Sequence, residues 1–276
     1  MTKKIKVTYP AILCHNASLE IKDGDVIFAG IGWPCIFIGL ALAFHAPHAQ
    51  VIMEGGLCTN EEFLRPADDI ADSNCSTKNT FFSDFVDVFQ CILARGYVDV
   101  GFLGAGQIDK YGNIDTTVIG DYYHPTRRLP GSGGGFDIGS YSKRVILTAV
   151  AGQFVEKLDY CTTPGYLNGY ESRYEAGLPE DTGPAMVGNL KGIFRFDKVT
   201  KEMYLESYFP GVTIEDIKKD VPWDLKVSPD VRQAPLPSEE HMNFMMNFDP
   251  AIILGRTWAT NVQITNLKKM AEARKK

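Results

Sequence analysis

The chain has 276 residues, 45% hydrophobic and 22% charged, a length and balance that suit one large or two small globular domains and exclude disordered, collagenous and coiled-coil classes. The 28 basic against 34 acidic residues leave a formal net charge of -6, with no basic cluster ahead of the C-terminal tail. Nucleic acid and anionic membrane are therefore not expected partners.

The N-terminal Met1-Thr2-Lys3-Lys4-Ile5-Lys6-Val7 is basic but runs into Thr8-Tyr9-Pro10 rather than an apolar core, so no secretory signal is expected. Residues 25–30 form a short apolar run ahead of glycines, Pro34 opens a helical stretch over 34–46, and Gln50-Val51-Ile52-Met53 is a second apolar run. This is a β-α-β unit and predicts a parallel sheet. The apolar stretch 31–44 is interrupted by Gly32, Pro34 and Gly39 and falls short of the about 20 residues of a membrane span, so it predicts a buried helix. Over 81–94, Phe82, Phe85, Val86, Phe89, Ile92 and Leu93 recur at helical spacing; they predict a helix ended by Gly96, with the next strand over 98–103.

After Ile114 the pattern breaks into a glycine-rich loop, 130–136, and resumes as a strand over 144–150. A long loop inside a sheet protein points to function. The C-terminal third predicts a hairpin of 192–196 with 203–207, and a short helix from Thr213 with Asp216 as its capping-box partner. Prolines multiply from Pro222, and 222–276 reads as a wrapping extension that ends in a basic helix over 266–276. No composition shift or internal repeat marks a boundary, so 1–276 is expected to form a single domain.

Among the chemical signals, Gly30-Ile31-Gly32-Trp33 lacks the third glycine of a dinucleotide fingerprint and reads as a close strand-to-helix turn. His15, His45, His48, His124 and His241 have no acidic partner at ligand spacing, so no metal is expected. The six cysteines include no C-x-x-C pair, which points to neither a zinc site nor a disulfide framework and fits a reducing cytoplasm. Glu54 differs because it follows Val51-Ile52-Met53 and precedes Gly55-Gly56. That order sets a carboxylate at the C-terminal edge of a parallel strand, where open α/β sheets bind ligands. A strand-end glutamate is often merely solvated, but paired glycines let backbone or ligand approach it closely. The loop 131–135 is either a flexible connection or a set of main-chain N–H groups aimed at an anion or developing oxyanion.

Glu54-Gly55-Gly56, the segment 102–113 with Gln107 and Asn113, and the loop from Gly131 to Ile138 occur in an order that resembles the β subunit of family I CoA-transferases, of the glutaconate type. Ile119-Gly120-Asp121-Tyr122-Tyr123-His124-Pro125 and Asp159-Tyr160-Cys161-Thr162-Thr163-Pro164-Gly165 carry the resemblance to residue 208. It implies an α/β fold, an open and mostly parallel sheet with flanking helices of the NagB/RpiA-like CoA-transferase type. It also implies an α subunit of similar fold in a hetero-oligomer, α2β2 or larger, with the active site between subunits. Glu54 is then the nucleophile, and Gly131, Gly133 and Gly134 form the oxyanion and CoA loop. Gly55, Gly56, Gln107 and Asn113 line the substrate cleft. Coenzyme A is a cosubstrate beside a free carboxylate, and no cofactor is permanently bound. The resemblance departs at Gly55, where the family commonly has Ser, and this predicts extra room beside the nucleophile.

The chemistry suits these residues because CoA exchange between carboxylic acids needs no proton transfer at the carbonyl. A carboxylate can attack the thioester, and the departing thiolate, whose thiol has a pKa near 8.5, is a good leaving group. Acceptor and donor then use the same glutamyl thioester in a ping-pong sequence. Transfer requires water to be kept away, and Leu57, Phe63, Phe81-Phe82 and Tyr122-Tyr123 are candidates for that closure. Acyl-CoA hydrolysis or decarboxylation on the same scaffold is the alternative. A non-catalytic ligand-sensing domain is a further one, although it has no use for a carboxylate between a buried strand and Gly-Gly.

Overall fold

The computed structural model describes residues 6–61, 65–67, 69–72, 79–150 and 152–254. Phe63 and Cys75, and the basic stretch 266–276, lie outside the described residues. The chain begins with helix α1 (Tyr9–Ser18), capped by the Thr8 hydroxyl with Pro10 in its first turn. Strand β1 (Val26–Ala29), helix α2 (Trp33–Phe44) and strand β2 (Gln50–Met53) follow as the expected β-α-β unit, and β1 and β2 pair in parallel. Short strands β3 (Leu57–Thr59) and β4 (Phe81–Phe82) continue antiparallel from β2, and β5 (Val100–Gly104) lies on the other side of β1.

The region after β5 holds β6 (Gln107–Ile108), β7 (Ile114–Asp115), and the hairpin β8 (Val118–Gly120) with β9 (Pro125–Arg128). Helix α3 (Gly135–Tyr141) and strand β10 (Arg144–Thr148) come next, then β11 (Gln153–Phe154), which joins β6, and helix α4 (Ser172–Glu175). Strand β12 (Pro184–Gly188) is followed by the antiparallel pair β13 (Gly192–Phe196) and β14 (Met203–Tyr208), the hairpin expected at these positions. Helix α5 (Ile214–Lys218) carries the expected Thr213–Asp216 capping box. Strand β15 (Lys226–Gln233), α6 (Glu239–Phe248) and α7 (Pro250–Ile253) complete the described chain.

Ten strands form one sheet in the order β15-β14-β13-β12-β10-β5-β1-β2-β3-β4. Its centre, β12 to β2, is parallel. Side chains alternate across these strands. Ile27, Ala29, Val51 and Met53 face a core shared with α1, α2, α6 and α7, whereas Phe28 and Ile52 face one shared with Phe89 and Ile138. Burial on both faces explains why these strands read as unbroken apolar runs. Among the described residues no helix is long and apolar enough to cross a membrane.

The segment 81–94 differs from the expected single helix. Ser83 N–H donates to the Gly56 carbonyl at 2.7 Å and Phe81 pairs with Cys58, so 81–82 belong to the sheet. Helix starts only at Phe85, after Asp84 accepts the Asp87 N–H at 2.8 Å. It then widens into a π-helix over Asp87–Leu93, a form that recurs at functional sites.

Residues 222–254 are built into the core as well as laid along it. Strand β15 pairs with β14, and the Phe244 ring of α6 sits where a Cβ on Gly39 of α2 would approach to 3.1 Å. Ala234, Met242, Met245, Ile252 and Ile253 are all buried. Full burial of a large apolar side chain is worth about 1.5–3 kcal/mol, against a total stability of about 5–15 kcal/mol. Deleting 222–276 is therefore expected to abolish cooperative folding, and Met245→Ala to destabilise by about 2–5 kcal/mol. Denaturant unfolding checks both, and a truncated chain with an intact transition would show the extension to be separable.

Candidate active site

Strand β2 ends at Met53, and the chain turns at once through Glu54, Gly55 and Gly56 into β3. Gly56 N–H closes the turn on the Met53 carbonyl at 2.9 Å. The two glycines are needed for different reasons. Gly56 has φ +87°, and a Cβ there would overlap the Ser83 carbonyl. A Cβ on Gly55 would lie 2.8 Å from the Ile70 carbonyl oxygen and 3.1 Å from Ala71 Cβ. The extra room expected beside the nucleophile at Gly55 is thus absent, because neighbouring backbone fills it.

The turn leaves Glu54 half-buried, pointing at the start of α3. Burial pushes its carboxyl above the ordinary glutamate range, and a hydrogen bond from the Gly134 N–H pulls part of the way back. A Cβ on Gly134 would overlap the Glu54 Oε1 and come within 2.5 Å of the Phe89 ring. Carboxylate, glycine backbone and aromatic edge therefore meet in one place. Phe89 is buried and packs on Phe28 at 5.2 Å and Phe85 at 4.6 Å between ring centroids.

Several contacts set the position of Gly134. Helix α3 lies against β5 because Gly101 has no side chain; a Cβ there would sit 2.5 Å from Ile138 Cγ2 and 2.6 Å from Ser142 Oγ. The other end of α3 is gripped by buried Arg173, which donates to the Gly139 and Ser140 carbonyls at 2.9 Å each and to the Gly165 carbonyl at 2.8 Å. Before the helix, Gly131 exchanges hydrogen bonds with Thr116, N–H to carbonyl at 2.7 Å and Thr116 hydroxyl to Gly131 carbonyl at 2.9 Å. Thr116 is itself held by Thr162 Oγ1 at 2.9 Å, and Thr162 donates to fully buried Asp115 at 3.2 Å. Gly131 and Gly133 take φ +97° and +47°, with open space around both.

Of the residues singled out in the sequence, Glu54, Gly55, Gly56 and Gly134 converge. Gln107 and Asn113 are buried and spent on internal bonds. Gln107 Nε2 donates to Asp159 at 2.7 Å while its Oε1 accepts the Asp159 N–H at 2.9 Å. Asn113 donates to Asp109 and to the Leu167 carbonyl, and accepts from the Gly165 and Leu167 N–H groups. Sequence reasoning did not single out Asp115, Thr116 or Arg173. The run Asp115-Thr116-Thr117 just after a strand is the signal for the first two, since Asp and Thr side chains there commonly bond nearby backbone.

A family model described as coenzyme A transferase matches residues 13–220. The chain belongs to the coenzyme A transferase family. It is 38% identical over 226 residues to the B-type subunit of glutaconate CoA-transferase from Acidaminococcus fermentans, spanning 79% of this chain and 84% of that one. Identity to the B-type subunit of 3-oxoadipate CoA-transferase from Pseudomonas knackmussii is 33%, over 81% and 86% of the two chains. The crystal structure of glutaconate coenzyme A-transferase from Acidaminococcus fermentans matches with a TM-score of 0.82 at 30% identity, over 90% of this chain and 97% of that one. The α/β fold with a large, mostly parallel central sheet and flanking helices is shared with that enzyme. The decarboxylase AibA/AibB shares the fold alone, with a TM-score of 0.74 at 20% identity.

Two outcomes follow for a CoA-transferase assay. A methyl at Gly134 collides with the carboxylate and with the buried Phe89 ring, so Gly134→Ala should cost some stability and, by pushing the Glu54 carboxylate off the Gly134 N–H, about 10²-fold in kcat. At Gly133 the added group meets open space and only the backbone angle resists it, so Gly133→Ala should lose much less; equal effects would mean that contact with Glu54 is irrelevant. To serve as a nucleophile Glu54 must be ionised, and because burial raises its pKa, activity that depends on it should fall on acidification already above the ordinary glutamate value of about 4.3. A kcat/KM profile with its acid limb at or below that value would contradict the arrangement.

Proposed function

We propose that this chain is the B-type subunit of a two-subunit CoA-transferase that moves CoA between carboxylic acids through a glutamyl-CoA thioester on Glu54. The observation that carries the reading is the half-buried carboxylate at the end of a central parallel strand, set against the Phe89 ring and the Gly134 N–H. In the first step the Glu54 carboxylate adds to the acyl carbonyl, the C–S bond breaks, and a mixed anhydride and CoA thiolate form. The thiolate then attacks the Glu54 carbonyl, the anhydride C–O bond breaks, and the first acid leaves as its carboxylate. The incoming acid reverses these steps. No proton changes hands at the reacting carbonyls, and coenzyme A is a cosubstrate with no resident cofactor required.

Gly131, Gly133 and Gly134 are assigned to the oxyanion and CoA loop, in which Gly131 anchors the loop through its N–H on the Thr116 carbonyl, Gly134 holds Glu54 and Gly133 offers its N–H to the developing oxyanion, and Gly55 and Gly56 to the turn that carries Glu54. Gln107 and Asn113, with their polar atoms engaged, are assigned to bracing the loops around the cleft rather than to touching substrate. An α-type companion completes the site in an α2β2 or larger assembly. Phe81, Phe82, Phe85 and Val86, between 49% and 67% exposed and next to the Glu54 turn, are the apolar face it would cover. A cytoplasmic setting fits the five described cysteines, all free thiols.

Incubation of the two-subunit enzyme with acyl-CoA, followed by borohydride or hydroxylamine, should modify Glu54 alone. Glu54→Gln should lose more than about 10³-fold in turnover while remaining folded. Full turnover in that variant would end the proposal. Among the candidates for excluding water, Leu57 is buried, whereas Phe82 and Tyr123 stand exposed, so closure falls to the companion. Free thiol should then appear slowly without an added acid and acceptor-CoA rapidly with one; thiol release at the same rate in both cases would make the protein a hydrolase.

A further inference from the structure

We propose that the β8–β9 hairpin seats the phosphorylated adenosine end of CoA, with Arg128 taking a phosphate and Tyr123 and Tyr160 presenting aromatic surface to the adenine. This rests on the transferase reading above.

Three tyrosines cluster at the hairpin and stay open to solvent. The Tyr122 ring lies 5.4 Å from Tyr123 and 5.5 Å from Tyr160, and exposures are 45%, 81% and 42%. The turn that presents them is fixed, because Asp121 accepts the Tyr123 and His124 N–H groups at 2.9 and 2.8 Å. The Arg128 guanidinium sits 4.7 Å from the Tyr122 ring centroid and donates to the Tyr122 carbonyl. That contact uses one of its five N–H donors, and the nearby carboxylates are turned to other work. Asp121 serves the turn, and Asp159 accepts from Gln107 at 2.7 Å and from the Gly120 N–H at 2.9 Å.

An exposed guanidinium stacked on one ring of a tyrosine cluster, on a chain of net charge -6, is the chemistry that recognises a phosphate carried next to a flat heterocycle. Reach agrees. Gly134 lies six positions after Arg128, so the two lie within about 20 Å at full extension, inside the span of a pantetheine arm. The path is also held rigid, since Leu129 N–H bonds the Thr117 carbonyl at 3.0 Å and Gly131 N–H the Thr116 carbonyl at 2.7 Å. One CoA could therefore place its sulfur at Glu54 and its phosphates at the hairpin. Arg127 pairs opposite Ile119 and Arg128 opposite Val118, and strand alternation turns Arg127 to the other face, where it provides a charge-matched control.

The test compares kcat/KM for an acyl-CoA with that for the same acyl group on pantetheine, which lacks the nucleotide. In the two-subunit enzyme, Arg128→Gln should lower the ratio about tenfold or more, and Tyr123→Leu about fivefold or more. Arg127→Gln should leave the ratio near that of the parent enzyme. Adenosine 3′,5′-bisphosphate, titrated by calorimetry, should bind the parent enzyme and bind Arg128→Gln at least about tenfold more weakly. Equal losses with both thioesters, an effect of Arg127→Gln matching that of Arg128→Gln, or release of the companion on Tyr123→Leu substitution would overturn the assignment, the last by showing the hairpin to be a contact between subunits. A parent enzyme inactive with every acyl-CoA tried would instead sink the transferase reading, while the bisphosphate titration would still decide this one.

Discussion

A carboxylate drawn partly out of water needs a hydrogen-bond donor, and at the end of β2 that donor is the main-chain N–H of a glycine 80 positions further along the chain. The contact between Glu54 and Gly134 can form only if nothing protrudes from either backbone. Gly134 has no atom to spare on the side of the carboxylate, and Gly55 and Gly56 have none on the sides of Ile70 and Ser83. Much of the surrounding architecture follows from bringing these backbones together. Helix α3 settles on β5 over Gly101, and Arg173 ties its far end to the segment around Gly165. The Asp115–Thr162–Thr116 chain holds the loop before it. Each contact is local and modest, but together they leave the Gly134 N–H few directions in which to point.

Arg173 bears on this constraint in a particular way. Its guanidinium is buried and meets carbonyl oxygens and a Thr182 hydroxyl rather than a carboxylate, and burial lowers its pKa to about 10. At that value it stays charged at neutral pH, and hydrogen bonds to charged groups are stronger than neutral ones. The carbonyls at the end of α3 thereby gain a rigid planar partner. A lysine could not serve, because a point charge on a flexible stem lacks the fork that reaches several acceptors at once.

The parts of the fold most legible in the sequence were those governed by local pattern. The apolar runs of β1 and β2 announce strands because both faces are buried, and the Thr213–Asp216 box announces a helix start because both partners lie within one turn. Glu54 stood out for a similarly local reason, a charge wedged between a buried strand and two glycines. What periodicity could not convey was partnership at a distance. Residues 81–82 match helical spacing, yet they pair with β3 because Gly56 offers a carbonyl to Ser83. A glycine in a sequence likewise looks like a gap. At Gly55 and Gly134 it is instead a surface on which another segment rests, and only the folded chain separates the two cases. Gln107 and Asn113 show the same ambiguity for polar residues, since an amide in a motif can face a ligand or hold a loop.

The two neighbours of Glu54 act in opposite directions, and the balance between them decides whether the group can do the proposed chemistry. An ordinary solvated carboxylate is a weak nucleophile because water competes for its lone pairs. Burial beside Phe89 removes part of that water and raises the carboxyl pKa, which makes the anion more basic and more reactive. Carried further, the same burial would protonate the group and silence it. The Gly134 N–H limits the rise without supplying the two or three donors that would hold the carboxylate as a stable, unreactive ion. One donor set against that burial thus leaves the carboxylate poorly satisfied, the state from which the proposed attack on a thioester carbonyl gains most. Neither neighbour alone would achieve this, which is why the close approach of β2 and α3, rather than the presence of a glutamate, defines the site.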